Sequence, residues 1–145
     1  MRSDFRFFHQ LRVRYSEVDA QGIVFNAHYL TYLDVAITEY FRYLGLDYKQ
    51  LAQEGKMDMA VVKTCLEFKA PAFFDEVLEI GVRVSRIGNK SYTADFEIYK
   101  KDSDVLVLKG QTVYVNYNPK TQTAEPVPDF FRSAIEKFEC MTPNQ

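Results

Sequence analysis

Tryptophan is absent from the 145 residues, and cysteine and histidine occur only twice each. Cys65 and Cys140 stand at no metal-ligand spacing, and two Cys with two His leave too few ligands for a Cys/His zinc site. So few cysteines also exclude a disulfide scaffold and fit a reducing cytoplasm. Charge of one sign is missing as well: 18 basic against 20 acidic residues give a net charge of −2, which argues against a nucleic-acid-binding surface. No apolar run approaches the ~20 residues that a membrane-spanning helix needs. The opening MRSDFRFFHQ lacks an apolar run of signal-peptide length, so export is not expected. No repeat, linker or charge block interrupts the chain, so residues 1–145 are expected to form a single domain. What is abundant is ring surface. Twelve Phe and ten Tyr make 15% of the residues, which points to β-structure around a large packed interior.

Hydrophobic periodicity supplies the elements. From Phe5 to Tyr15, Phe5, Phe7, Leu11, Val13 and Tyr15 alternate with Arg6, Gln10, Arg12 and Arg14, the period of a half-buried strand. Further strands are expected over Val62–Phe68, Val77–Ile87, Ser91–Tyr99 and Val105–Tyr117. The last of these is apolar on both faces for part of its length, as in a central or interface strand. Short breaks at Gly88-Asn89 and Lys101–Asp104 carry turn chemistry, so the four later strands read as an antiparallel meander. One long helix is expected over His28–Leu44, ended by Gly45. Tyr29, Leu30, Leu33, Ala36, Ile37, Tyr40, Phe41 and Leu44 cover half its circumference, with Tyr32 and Tyr43 widening the apolar face. A second helix follows Pro126-Val127-Pro128, with Asp129 near its start and Phe130, Phe131, Ala134, Ile135 and Phe138 as its apolar side. A strand, a long helix and a sheet able to curl round it make an α+β chain of the hotdog kind: five antiparallel strands wrapped about one central helix, plus a C-terminal helix.

Chemistry concentrates between the first strand and the long helix, in Asp19-Ala20-Gln21-Gly22-Ile23-Val24-Phe25-Asn26-Ala27-His28-Tyr29. Gly22 suits a turn with positive φ, and Asn26 suits a helix start. A helix N-terminus offers unpaired N–H groups and about half a positive charge. Those donors are suited to a developing oxyanion. A carboxylate, Asp19, close to such a start is a minimal acyl-transfer site; on spacing alone this is a suggestion, since an isolated Asp at such a place is most often a turn or capping residue.

The pattern Asp19-x-x-Gly22-Ile23-Val24, with Tyr29 five residues on and an aromatic-rich helix after it, resembles the 4-hydroxybenzoyl-CoA thioesterase family, including the YbgC-type acyl-CoA thioesterases. The resemblance runs from about Leu11 to Tyr117 and includes Ala72-x-x-Asp75-x-Val77-Leu78 and Lys90-Ser91-Tyr92. It implies hydrolysis of an acyl-CoA or acyl-carrier-protein thioester without a cofactor. It makes Asp19 the catalytic carboxylate, as nucleophile or as general base for water, and the backbone N–H of Asn26 the group polarising the thioester carbonyl. Gly22, Val24, His28 and Tyr29 are then expected along the substrate, with Val61, Val62 and Thr64 as walls of the acyl pocket. Lys90 and Ser91 are implied to contact the CoA nucleotide from a neighbouring subunit, in a dimer or a dimer of dimers. Two departures stand out. The benzoyl-CoA enzyme has two arginines where Gly88 and Asn89 precede Lys90, and YbgC-type members have His where this chain has Asn26.

Beside these assignments, Glu17 reads as a solvated loop carboxylate, and Tyr15 and Tyr29 as packing residues, since tyrosine titrates near 10. Cys65 has no nearby His to activate it as a nucleophile. The alternative to a hydrolase is a non-catalytic hotdog protein that binds acyl groups or serves in assembly, because fold does not establish function. A hotdog dehydratase is disfavoured, because His28 has no evident acidic partner.

Overall fold

The computed structural model describes residues 1–142. In chain order the elements are β1 (Phe8–Arg12), α1 (His28–Tyr43), α2 (Tyr48–Gln53), β2 (Met59–Phe68), β3 (Val77–Ile87), β4 (Ser91–Lys100), β5 (Leu106–Asn118), β6 (Thr123–Ala124) and α3 (Asp129–Glu139). The strands form one sheet in the order β1-β3-β4-β5-β2, and the two-residue β6 pairs with β5. The sheet therefore has a sixth, very short strand beyond the five expected, and α2 is likewise an addition to the sequence reading.

The meander is shorter than the sequence pattern implies. Only β3, β4 and β5 follow one another as neighbours; β2 crosses to the far edge of β5. The reason lies in the connection after β2. Instead of making a tight turn into β3, it spends its backbone groups elsewhere. The N–H groups of Lys69 and Ala70 donate to the Val107 carbonyl (2.9 and 3.2 Å), and the Ala72 carbonyl accepts from Val24 (2.9 Å). With its backbone satisfied in this way, the segment has no need of the neighbouring strand.

Contacts divide the chain into two compact units, and α1 and strands β2 to β5 each run through both. The first unit holds residues 1–40, 66–82 and 96–110. Its interior is aliphatic and aromatic: Val13, Leu33, Ala36, Ile37, Tyr40, Leu78, Ile80, Val82, Phe96, Ile98 and Leu108 are buried. Here β1 runs antiparallel to β3, with Phe8 opposite Gly81 and Leu11 opposite Leu78. A side chain at Gly81 would meet the Phe5 ring 2.8 Å from its Cβ and the Phe8 ring at 3.0 Å. The missing Cβ is what lets both rings lie against β3. The second unit holds 41–65, 83–95 and the chain from 111 onward. Rings fill it: Tyr92 stacks on Tyr114 (5.2 Å), and Phe131 of α3 meets Phe41 (5.4 Å) and Tyr92 (5.0 Å). Such pairs explain how a chain without tryptophan still holds a large-ring interior.

Helix α1 ends where the sequence places its stop. Gly45 has φ +81°, its N–H reaches the Arg42 carbonyl (3.0 Å), and the Leu46 N–H reaches Phe41 (2.9 Å). This is the Schellman pair of bonds, which favours glycine at the left-handed position. The apolar face is buried through Tyr29, Tyr32, Leu33, Ala36, Ile37, Tyr40 and Phe41. Leu30 and Tyr43, expected inside, are 44% and 65% exposed. Each belongs to a terminal turn, whereas residues on the same side of the middle turns are covered. Two strand readings also need correction. The first strand stops at Arg12, and the chain then enters a 3-10 turn over Tyr15–Glu17, which leaves Tyr15 77% exposed. In β2 both faces are largely uncovered, including Val61, Val62 and Phe68. A strand with a second copy beside it would show the same periodicity, so alternation alone did not reveal the open edge.

Replacing Gly81 by alanine forces the Phe5 and Phe8 rings off β3. The expected loss of stability is about 1–3 kcal/mol, typical of overpacking a tight interior. It is measurable as a lower urea midpoint at unchanged denaturant slope.

Candidate active site

Between β1 and α1 the chain folds back on itself as a small hairpin. Val18 and Val24 pair antiparallel, and Phe25 donates to the Glu17 carbonyl (2.9 Å). At the tip, Asp19 donates its N–H to Ile23 (2.9 Å) and accepts at its carbonyl from Gly22 (2.9 Å). Gly22 has φ +79°, as its place in the motif suggests, and a side chain there would be strained even though the space around it is open. The Asp19 Oδ1 accepts the Gln21 N–H (2.8 Å), an Asx turn that fixes the carboxylate's direction. The turn-forming reading of Asp19 is thus seen directly. One oxygen shapes the loop, while Oδ2 has no hydrogen-bond partner among the described residues.

The far arm of the hairpin leads directly to α1. Val24 is anchored on Ala72, Ile23 bridges to Phe73, and the helix begins at His28 after a turn in which His28 donates to Phe25 (2.9 Å) and Tyr29 to Asn26 (3.3 Å). Asn26 stands just outside the helix. The N–H groups of Asn26 and Ala27 donate no hydrogen bond to any described residue. Unpaired donors at the positive end of a 16-residue helix make an anion-attracting corner.

Asp19 and Asn26 line one open cleft of about 570 Å³, together with Gln21, Ile23, Val24, Tyr29 and the segment Phe68–Pro71. Tyr29 is buried and packs edge-on against Phe68 (5.8 Å), so two rings wall the cleft. Desolvation pushes the Tyr29 hydroxyl up to about 12, against a smaller opposing effect of the Ala72 main chain. It keeps its proton at neutral pH and acts as wall rather than as acid or base. His28 is half-buried and meets Phe25 edge-on (5.9 Å) without lining the cleft. Gly22 shapes the turn from just beside it.

The remaining sequence candidates lie elsewhere. Val61, Val62 and Thr64 are exposed on β2, where Thr64 and Thr112 share a hydroxyl hydrogen bond. Lys90 and Ser91 sit at the β3–β4 turn, closed by a bond from Gly88 to the Ser91 carbonyl (2.7 Å). None of these five lines the cleft beside Asp19. Sequence reasoning also missed residues that do, namely Gln21, Ile23, Phe68, Lys69, Ala70 and Pro71. A signal was present in the last four: a strand ending in Phe68 and followed by Pro71 must turn away there. A second cleft, of about 330 Å³, lies between the end of α2 and the end of β5, lined by Lys56, Asp58, Asn116, Asn118, Lys120 and Glu125 among others. It contains none of the residues singled out from the sequence.

Glu17 departs from its expected place. It is 5% exposed, not solvated, and its carboxylate takes the Arg14 N–H (2.8 Å) and Tyr32 hydroxyl (2.8 Å) on Oε1 and the Arg14 guanidinium (2.6 Å) on Oε2. Burial alone raises its pKa, but the hydrogen bonds from Arg14 and Tyr32 outweigh it and hold the carboxyl below the usual range.

The chain is similar to known proteins over most of its length. The family model of the thioesterase-like superfamily matches residues 13–135. Among curated proteins, the acyl-CoA thioesterase YbgC of Haemophilus influenzae is 31% identical over 109 residues, covering 75% of this chain and 78% of its own. Among solved structures, a gentisyl-coenzyme A thioesterase superposes with a TM-score of 0.80 at 25% identity, over 89% of this chain and 99% of the other. A DHNA-CoA thioesterase from Staphylococcus aureus does so with a TM-score of 0.85 over 92% and 91%, and at 20% identity that likeness is one of fold. With the match extending from just after β1 into α3, the chain belongs to the thioesterase-like superfamily and has its hotdog fold.

Proposed function

We propose that the protein hydrolyses the thioester of an acyl-CoA or an acyl-carrier protein to free acid and thiol, with Asp19 as the catalytic carboxylate. The observation that carries this reading is a single cleft in which an Asp19 oxygen without a partner and the unpaired N–H of Asn26 share the start of α1. A thioester carbonyl directed at Asn26 and Ala27 places its developing oxyanion where the helix end favours negative charge. Asp19 then either takes a proton from the attacking water or attacks the carbonyl carbon itself, giving a mixed anhydride that water cleaves. The departing thiolate collects a proton, so the reaction consumes one water and takes no cofactor. The named relatives act on CoA thioesters, which supports the choice of substrate class. The rings of Tyr29 and Phe68 favour an acyl group with apolar or aromatic character at the cleft.

Residues 1–145 are read as a single hotdog domain, a reading supported by the five elements that run through both compact units. The site is completed by a second copy. Support comes from β2, which has β5 on one side, stands at the edge of the sheet and exposes Val61 and Val62 at 56% and 58%. An apolar edge strand left open is a template for further pairing. Pairing β2 with its twin would bring Val62, Thr64, Lys90 and Ser91 into a shared site as dimer or tetramer. A soluble cytoplasmic enzyme fits this reading, and no helix among the described residues is long and apolar enough to cross a membrane.

Thiol release from acetyl-, palmitoyl- and benzoyl-CoA tests the reaction. Asp19→Asn is expected to lower kcat by at least about 10², the lower end for a general base. Near-parent turnover in that variant would take Asp19 out of the mechanism. If the folded parent releases no thiol from any donor, a binding or assembly role replaces hydrolysis. Sedimentation equilibrium tests the partner. A multiple of 16.9 kDa is expected for the parent and a lower mass for Val61→Lys, whose charge blocks edge pairing. A parent sedimenting as a monomer would rule out a shared site.

A further inference from the structure

Glu17 is a buried carboxylate that the proposed chemistry does not use. Its Arg14 partner is exposed, and its bonds hold the carboxyl below the usual range, so the ionised side chain is an anchor within the loop that carries Asp19. The Glu17 side chain ties the hairpin to Tyr32 of α1 and to Arg14. Through Oε1 it holds the Tyr32 hydroxyl on α1 and the N–H of Arg14; through Oε2 it holds the Arg14 guanidinium (2.6 and 3.1 Å). Its own N–H donates back to Arg14 (2.9 Å), and its carbonyl receives Phe25 at the base of the hairpin (2.9 Å). The Tyr32 ring is held in turn, edge-on to Tyr29 at 5.7 Å, and Tyr29 lines the cleft.

The arm leaving Glu17 is extended, with Val18 at φ −97° and ψ 148°. Glu17 is fixed to α1 through Tyr32 and stands at the base of the hairpin, opposite Phe25, two residues before Asp19. We infer that Glu17, gripped by Tyr32 and Arg14, is a positioning residue that aims the Asp19 carboxylate at the start of α1. It acts through the hairpin and touches no reacting atom. The inference rests on Asp19 being the catalytic carboxylate. A 1 Å error in placing a reacting group costs as much as about 10² in rate without changing what binds. The clamp would therefore show in kcat and not in KM.

Two variants probe it. Tyr32→Phe removes one hydroxyl and keeps the ring; Glu17→Gln keeps the shape and removes the charge. With benzoyl-CoA as probe, each is expected to lower kcat by about tenfold or more while KM stays within about twofold. Glu17→Leu, which fills the space with no acceptor, is expected to lose more, and Glu17→Gln to recover part of that loss. Amide hydrogen exchange gives a readout independent of turnover: faster exchange at Asp19, Gly22 and Val24, with the amide of Ile37 in mid-α1 unchanged. If Asp19→Asn is inactive while Tyr32→Phe and Glu17→Gln keep parent kcat, the clamp is overturned and the assignment of Asp19 stands. If Asp19→Asn stays active, that assignment fails and exchange alone decides. Faster exchange confined to residues 18–24 then upholds Glu17 as the anchor of this loop, and unchanged exchange removes it.

Discussion

A backbone that must satisfy its own polar groups shapes this protein's site. Residues 18–25 belong to no helix or named strand, yet they pass through half-buried surroundings. They meet the requirement by pairing Val18 with Val24, Glu17 with Phe25 and Asp19 with Ile23, and by borrowing the Ala72 carbonyl for Val24. After all those bonds are made, the N–H groups of Asn26 and Ala27 are left over, at the end of a helix whose aligned dipoles reinforce them. Those two donors are the remainder of that accounting, and Asp19 lines the same cleft as Asn26 because the turn at Gly22 brings the two arms of the hairpin together.

The connection after β2 serves the same arrangement from the other side. By docking on Val107 and on the hairpin, this segment lines the cleft through Phe68 to Pro71 and anchors, through Ala72 and Phe73, the arm that feeds α1. That docking also sends β2 to the far edge of the sheet. One segment thus decides both the strand order and the wall opposite Asp19. An open β2 edge with exposed valines is its consequence, and gives physical grounds for a partner copy.

How far the sequence could be read follows from which forces are local. Strands β3, β4 and β5 were legible almost to the residue, because period-two burial writes itself directly into the residue order. Helix α1 and its stop were legible because Gly45 answers a conformational demand that few other residues meet. The motif around Asp19 was legible for the same reason, since Gly22 marks the turn. Glu17 was misread. A carboxylate next to polar neighbours looks solvated until Tyr32, fifteen residues away, is seen to donate to it. Tyr15 was misread because alternation continued in the residues after the strand itself had ended.

The residue order by itself determined strands β3 to β5, helix α1 with its stop, the turn at Gly22 and the family to which the chain belongs, all of which depend on spacing within a few residues. Tertiary structure alone decided which strands are neighbours, that Phe68 to Pro71 face Asp19, that Glu17 is buried and that β2 is left at an edge. Those outcomes depend on contacts between segments far apart in the chain, where a hydrogen-bond partner or a covering side chain is chosen by the fold and leaves no periodic trace in the sequence.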